Sequence, residues 1–397
     1  MPDVSFAGFA IVAAVAFAVP LAAGMFPRVR LPGAVLEIVA GIAIGPSVLG
    51  WVSVDLPLQV LSLIGIVFLL FLAGLEIDFA HLRGSALNSA VLGFALSFAI
   101  SAAIAAGLAS AGLIAAPLLV AIILTATSLG VVVPVLKDVN QVASEFGQQV
   151  IAAASVADFG AVILLSLFFS REARGTGAQL LLLGSLVLLA AIVGLAVARL
   201  GRSSRLSAEL AQLQDTSAQI RVRGAVLLLA GFIWFAQRSG LEVILGAFIA
   251  GAILTLVDRQ TMTHPRFRAK LDAIGYGMFV PIFFVTSGIR FDVAALTADT
   301  SALGAIPLFL LALLAARGLP ALLYARRIGP RLTAVAALLQ STSLPFIVAS
   351  AQIGMELGLL TPAVGAALVA AGLLSVLLFP LSALSLLRPA PAVAQAH

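Results

Sequence analysis

Apolar residues recur along this chain in long runs, at about 6–26, 31–50, 57–75, 86–113, 115–136, 144–169, 177–200, 219–237, 240–257, 273–288, 302–325, 331–353 and 362–387. A helix built from such a run crosses a hydrocarbon core about 30 Å thick. The pattern predicts an all-α polytopic membrane protein of about thirteen transmembrane helices. Polar stretches between the runs are short, and none is long enough to fold by itself. Residues 1–397 therefore read as a single membrane domain. Within it lie a first helix (6–30), a first repeat with its following helix (31–200), a connector (201–224), a second half (225–387) and a short tail (388–397).

Composition supports this picture. Hydrophobic residues make up 62% of the 397 and charged residues 10%, with mean hydropathy +1.19. That leaves too little polar surface for a soluble protein. The net charge of +5 and pI near 10.6 do not point to nucleic acid, because the Lys and Arg sit in short loops. With the N-terminus placed outside, the outer loops hold only Arg171, Arg174, Arg238 and Arg290. Every other loop cation falls inside, so the C-terminus is expected in the cytoplasm. Arg317 is left over, within a span. Cysteine is absent, which excludes disulfides and thiolate metal sites. The N-terminus lacks the basic region of a cleaved signal peptide and reads as a retained helix. The connector "GRSSRLSAELAQLQDTSAQIRVRG" is polar and helix-compatible. "DRQTMTHPRFRAKLDAIG" (258–275) predicts a short helix at the inner membrane surface after Pro265.

The two halves resemble each other. Setting Gly74 on Gly288, in "FLAGLEIDFAHL" and "TSGIRFDVAAL", also matches Asp78 with Asp292 at an offset of 214. "TATSLG" then meets "QSTSLP", placing Thr127, Ser128 and Leu129 on Thr342, Ser343 and Leu344 at an offset of 215. Gly41 and Gly251 correspond at 210. Repeat units of five helices separated by seven spans enter the membrane from opposite sides, the inverted architecture of many secondary transporters. Both "TSL" segments have a proline nearby, Pro134 and Pro345, and Thr and Ser satisfy backbone groups freed where a helix breaks. Paired broken helices at matching positions point to a binding site near the midplane.

One aspartate, Asp158, lies in the apolar run "AASVADFGAVILLSL" just after the first broken helix. The matching place in the second copy, near Leu373, is apolar. Burial disfavours the charged form of a carboxyl group, which a proton or a small cation can neutralise. Hydroxyls of Thr125, Thr127, Ser128 and Ser155, with carbonyls freed at the break, supply oxygen ligands for a hard cation. Proton and cation then compete for one site, and alternating access turns competition into exchange. A structural alternative is that Asp158 simply pairs with Arg317, and the two readings are compatible.

"VLEIVAGIAIGPSVLG", "IGIVFLLFLAGLEID", "TATSLGVVVPVLKD", "GLEVILGAFIAGAIL" and "FVPIFFVTSGIRFD", taken in order, resemble signatures of the bacterial sodium/proton exchanger superfamily. Within it the chain most resembles the second monovalent cation:proton antiporter family. The resemblance covers about residues 6 to 387. It implies a thirteen-helix fold with inverted five-helix repeats, two crossed broken helices, a six-helix core domain and a dimerisation domain that includes the first span. It implies a homodimer in the bacterial inner membrane, elevator-like movement, and exchange of Na⁺ or K⁺ for H⁺ with Asp158 as the binding aspartate. Many relatives carry Asp-Asp or Asn-Asp on the sixth helix, whereas this chain reads Ala157-Asp158. Arg317 resembles a basic residue of the family that is arginine in electroneutral members and implies charge compensation; with Ala157 leaving one carboxylate, at Asp158, 1:1 electroneutral exchange is expected. Some members append a nucleotide-binding domain at the C-terminus; none is expected in cis here.

Glu37 resembles a glutamate common in that family, and a gating or structural role is expected of it, as of Thr342 and Ser343. Glu242 reads as a helix cap, and His81 and His264 as solvated loop residues. No P-loop, zinc spacing or nucleophile motif occurs, so no enzyme activity and no cofactor are expected beyond the transported ions. A sodium-coupled symporter of organic anions is the alternative on the same fold, but it wants a polar crossing that "QSTSLPFIV" scarcely offers beyond Gln340. A channel is the other rival; a lone carboxylate beside a broken helix favours a carrier.

Overall fold

The computed structural model describes residues 6–25, 32–76, 84–169, 184–186, 188–189, 191–195, 216, 218–261, 265–298 and 300–387. Among them the regular structure is helical throughout. In chain order the helices are α1 (Ala7–Met25), α2 (Gly33–Ile44), α3 (Leu56–Leu75), α4 (Gly84–Ser110), α5 (Pro117–Thr125), α6 (Leu129–Asp138) and α7 (Glu145–Phe168). They continue with α8 (Ile220–Arg238), α9 (Val243–Thr261), α10 (Pro265–Ile274), α11 (Val280–Ile289), α12 (Val293–Ala298) and α13 (Thr300–Leu313). The last three are α14 (Ala325–Gln340), α15 (Pro345–Glu356) and α16 (Pro362–Leu387).

Nine helical stretches among the described residues are long and apolar enough to cross a membrane. One of them, Ser301–Glu356, holds the eleventh and twelfth spans, which are separated where Gly329 adopts a φ of 81° before Pro330. Three shorter apolar helices, at Gly33–Ile44, Gly184–Leu195 and Val243–Leu256, complete the expected thirteen crossings. His81, His264, Asp78, Arg171, Arg174, most of the connector and the tail after residue 387 lie outside the described residues. The short helix expected after Pro265 is present as α10. It runs on through a π-helical turn, Gly275–Phe279, into α11 and so belongs to the tenth span.

The chain divides into two compact units, Met1–Phe79 with Val162–Phe291, and Ala80–Ala161 with Asp292–His397. The first unit is held by close backbone approach. A Cβ added at Gly41 would stand 2.1 Å from the Val285 carbonyl oxygen, and one at Gly288 would stand 2.2 Å from that of Ile38. One at Gly74 would lie 2.1 Å from the Phe248 oxygen, and one at Gly251 would lie 2.0 Å from that of Phe71. Only glycine permits such contact, which gains dispersion energy where no hydrophobic effect drives helices together. The repeat carries Gly41 onto Gly251 and Gly74 onto Gly288. It therefore exchanges the α2–α11 contact for the α3–α9 contact, as copies related by a two-fold require. At the start of α3, Asp55 accepts from the Leu58 N–H (3.0 Å). At its end the Leu75 carbonyl accepts from Thr255 Oγ1 (3.0 Å) and Arg268 Nη1 (3.1 Å), so an orphan helix-end group is satisfied.

The second unit contains two interrupted helices. α5 stops at Thr125 and α6 starts at Leu129; α14 stops at Gln340 and α15 starts at Pro345. Thr125 and Gln340 differ by the same 215 positions that relate the two "TSL" segments. The causes of the two interruptions differ. Pro345 opens α15, where a missing N–H costs nothing, and it disfavours helical backbone at Leu344. Pro134 lies inside α6, away from the first break, so the chain at residues 126–128 is extended without a proline to force it. What holds it there is the second break.

Candidate ion-binding site

The two breaks cross. The Ser128 N–H donates to the Thr342 carbonyl (2.8 Å), and Thr127 Oγ1 donates to the Gln340 carbonyl (2.7 Å). Each bond satisfies a backbone group that an unbroken helix would have satisfied itself. The Thr127 N–H, freed by the same interruption, donates to Asp158 Oδ1 at 3.1 Å. Asp158 is half-buried on α7, between Ala157, which is fully buried, and Phe159. The opening left at Gly160 admits the ring of Phe94 from α4, because a Cβ there would stand 2.4 Å from it.

Arg317 is 1% exposed and sits in a π-helical turn, Leu314–Gly318, that follows α13. Such widened turns recur at functional sites. Its Nε donates to Thr127 Oγ1 (2.8 Å) and one Nη donates to the Ala153 carbonyl (3.4 Å), while its charge lies within electrostatic reach of Asp158. Thr127 thus joins three groups. Its N–H serves the carboxylate, and its hydroxyl donates to Gln340 while accepting from Arg317.

The remaining expected residues fall as follows. Ser155, one turn before Asp158 on α7, is buried, and its hydroxyl has no protein partner. Thr125 is fully buried and donates to the Ile122 carbonyl (2.7 Å) within its own helix. Ser128 is buried at the crossing. Thr342 Oγ1 donates back to the Leu338 carbonyl (3.2 Å), and the Ser343 hydroxyl is buried without a partner. Glu37 is buried on α2 and belongs to the first unit, with Gly41 one turn later. Glu242 directly precedes α9; its N–H donates to Ser166 Oγ (3.2 Å) and its carbonyl accepts from Leu245.

Sequence reasoning missed two groups, Tyr324 and Ser375. The Gln340 side-chain amide donates to the buried Tyr324 hydroxyl, so the one amide of the crossing is committed to protein. Ser375 on α16 bonds to both backbone groups of Ser343 at the second break. It lies two positions beyond the place that an offset of 215 assigns to Asp158, and a little slack in the repeat would have found it.

Residues 13–388 match the family described as sodium/hydrogen exchanger, transmembrane. The chain belongs to the sodium/hydrogen exchanger family. A putative Na(+)/H(+) antiporter, YjbQ, from Bacillus subtilis (strain 168) is 31% identical over 396 residues. That match covers 96% of this chain and 63% of the relative, so the chain spans less than two thirds of YjbQ. The probable Na(+)/H(+) antiporter 3 of Methanocaldococcus jannaschii is 26% identical over 381 residues, 94% of each chain. The solved structure of the sodium proton antiporter MjNhaP1 from Methanocaldococcus jannaschii shares the fold. Its TM-score is 0.62 at 17% identity, covering 96% of this chain and 97% of that one.

Proposed function

We infer that this family member exchanges a monovalent cation, Na⁺ or K⁺, for H⁺ by alternating access, with Asp158 as the shared site. The observation that carries this reading is the Asp158 carboxylate held by the Thr127 N–H where two broken helices cross. Carboxylate, hydroxyl and carbonyl oxygens are hard donors suited to such cations. The unpartnered Ser155 hydroxyl, one turn from the carboxylate, supports its role as a ligand. A buried polar group without a protein partner calls for a water or an ion. The relatives named above are Na(+)/H(+) antiporters by name, which agrees with this reading.

The mechanism follows from charge. A proton and a monovalent cation neutralise the same carboxylate, so each displaces the other. With Ala157 buried beside it, the site offers one carboxylate, and both loaded forms have the same net charge. Exchange is then one for one and electroneutral. Arg317, which does not release its proton, compensates Asp158 when the site is empty and holds Thr127 in place throughout. The reading includes a homodimer in the bacterial inner membrane, N-terminus outside and C-terminus in the cytoplasm.

Reconstitution into proteoliposomes tests it. A gradient of Na⁺ or K⁺, with no organic solute present, is expected to drive a pH change. The rate is expected to be the same with the potential clamped at zero and at a large negative value. No cation-driven pH change overturns antiport; a rate that follows the potential overturns the 1:1 stoichiometry.

A further inference from the structure

The second break has its own side-chain partner, Ser375, two positions past the place that the repeat assigns to Asp158. Thr127 and Asp158 are 31 residues apart; Ser343 and Ser375 are 32 apart. In each pair a freed N–H of the break donates to a side-chain oxygen on the next long helix, at 3.1 Å in the first copy and 3.2 Å in the second. Ser375 is fully buried, so its hydroxyl is set by protein contacts alone. Its oxygen also lies 3.0 Å from the Ser343 carbonyl and 2.8 Å from the Gly372 carbonyl. A hydroxyl has one proton, and it can serve only one of these two carbonyls at a time. Donation to Ser343 ties α16 to the break, whereas donation to Gly372 keeps the proton within α16. α16 packs closely against the break here: a Cβ at Gly372 would stand 3.1 Å from the Ser343 carbonyl oxygen.

The grip reaches the ion site in short steps. Ser375 holds Ser343; the neighbouring Thr342 carbonyl accepts from the Ser128 N–H; and the neighbouring Thr127 N–H donates to Asp158. We propose that Ser375 is a positioning residue for exchange: its hydroxyl latches the second break in register with the first and so fixes the backbone groups that face Asp158. The latch is neutral and uses both hydrogen-bonding capacities of one small side chain, so it holds the break without adding a charge to the site. Ser375 touches no transported ion. It acts through Thr342 and Ser128 on the geometry of the Thr127 N–H. The inference rests on the antiport reading above, with Asp158 as the site.

The test compares Ser375→Ala with Ser375→Thr in the proteoliposome assay, reading the cation KM and maximal rate separately. Ser375→Ala removes both bonds to Ser343. Its cation KM is expected to rise about threefold to tenfold, the effect of losing about one net hydrogen bond, with the maximal rate little altered. Ser375→Thr keeps the hydroxyl and is expected to restore the KM. A wild-type KM in Ser375→Ala overturns the latch, and so does an equal rise in the Ala and Thr variants, which would mark packing alone. Should Ser375→Ala fail to fold, Ser375→Cys disturbs the same contact, and a wild-type KM in that folded variant overturns it equally. Asp158→Asn run beside them separates the two readings. Exchange lost in Asp158→Asn with wild-type behaviour in Ser375→Ala refutes the latch only; exchange kept in Asp158→Asn refutes the site on which it depends.

Discussion

The two helix breaks are copies of one repeat, yet one is finished by a carboxylate and the other by a hydroxyl. Asp158 accepts from the N–H of Thr127, and Ser375 accepts from the N–H of Ser343. An ionised carboxylate only accepts, whereas a hydroxyl also donates, and Ser375 is within reach of the Ser343 carbonyl as well. The second break is thus closed by neutral protein groups. The first carries a charge that a proton or a cation can neutralise. The lesson is that duplication supplied the scaffold twice, while among the described residues the carboxylate that meets a break comes from the first copy. A second charged seat would change the number of charges moved in each cycle.

The most severe way to break this comparison is Asp158→Asn. The amide is nearly isosteric and still accepts the Thr127 N–H, so the fold is expected to persist in thermal melts and size-exclusion profiles. Cation-dependent proton movement should fall to background. Exchange at a wild-type rate by the folded variant would remove Asp158 from the mechanism.

Ser375→Asp sharpens the comparison by giving the second seat the chemistry of the first. A second carboxylate is expected to make the exchange rate respond to membrane potential, whose leverage is about 2.3 kcal/mol per charge per 100 mV. A folded variant indifferent to potential would mean that the two seats are not equivalent.

Thr127→Val and Thr342→Val should differ in stability. Thr127 Oγ1 bonds across the crossing and accepts from buried Arg317, whereas Thr342 Oγ1 bonds only back along its own helix. Losing the first hydroxyl leaves a buried donor without its acceptor, a cost of about 1–3 kcal/mol, and should also raise the cation KM. Losing the second should cost about 1 kcal/mol or less. Equal melting temperatures for the two variants would contradict the asymmetry.

The smallest effect is expected at the two unpartnered hydroxyls. Ser155→Ala should raise the cation KM about threefold, as for one lost neutral hydrogen bond, without lowering the melting temperature, because no protein bond is broken. Ser343→Ala should shift the KM less. Equal shifts would deny Ser155 its place as a ligand.

The sequence by itself determined the helical membrane architecture, because long apolar runs leave the backbone no other way to satisfy its polar groups in lipid. It also determined the inverted repeat, since glycines at backbone contacts and hydroxyls at breaks admit few substitutes: Gly41, Gly74, Gly251, Gly288 and both "TSL" segments stood at near-constant offsets. Asp158 was legible for the same reason, as a charge that an apolar helix would not carry idly. Tertiary structure alone decided which groups meet. Pro134 drew attention to the first break, but that break is held by Thr342 and Gln340 from the other copy, more than two hundred positions away. Arg317 was visible as a buried cation, yet its bond to Thr127 depends on a π-helical turn that no local pattern announces. Ser375 was one serine among many in apolar helices. It gains meaning only where α16 comes close enough at Gly372 for one hydroxyl to reach a freed backbone N–H, and such an approach is fixed by packing, not by composition.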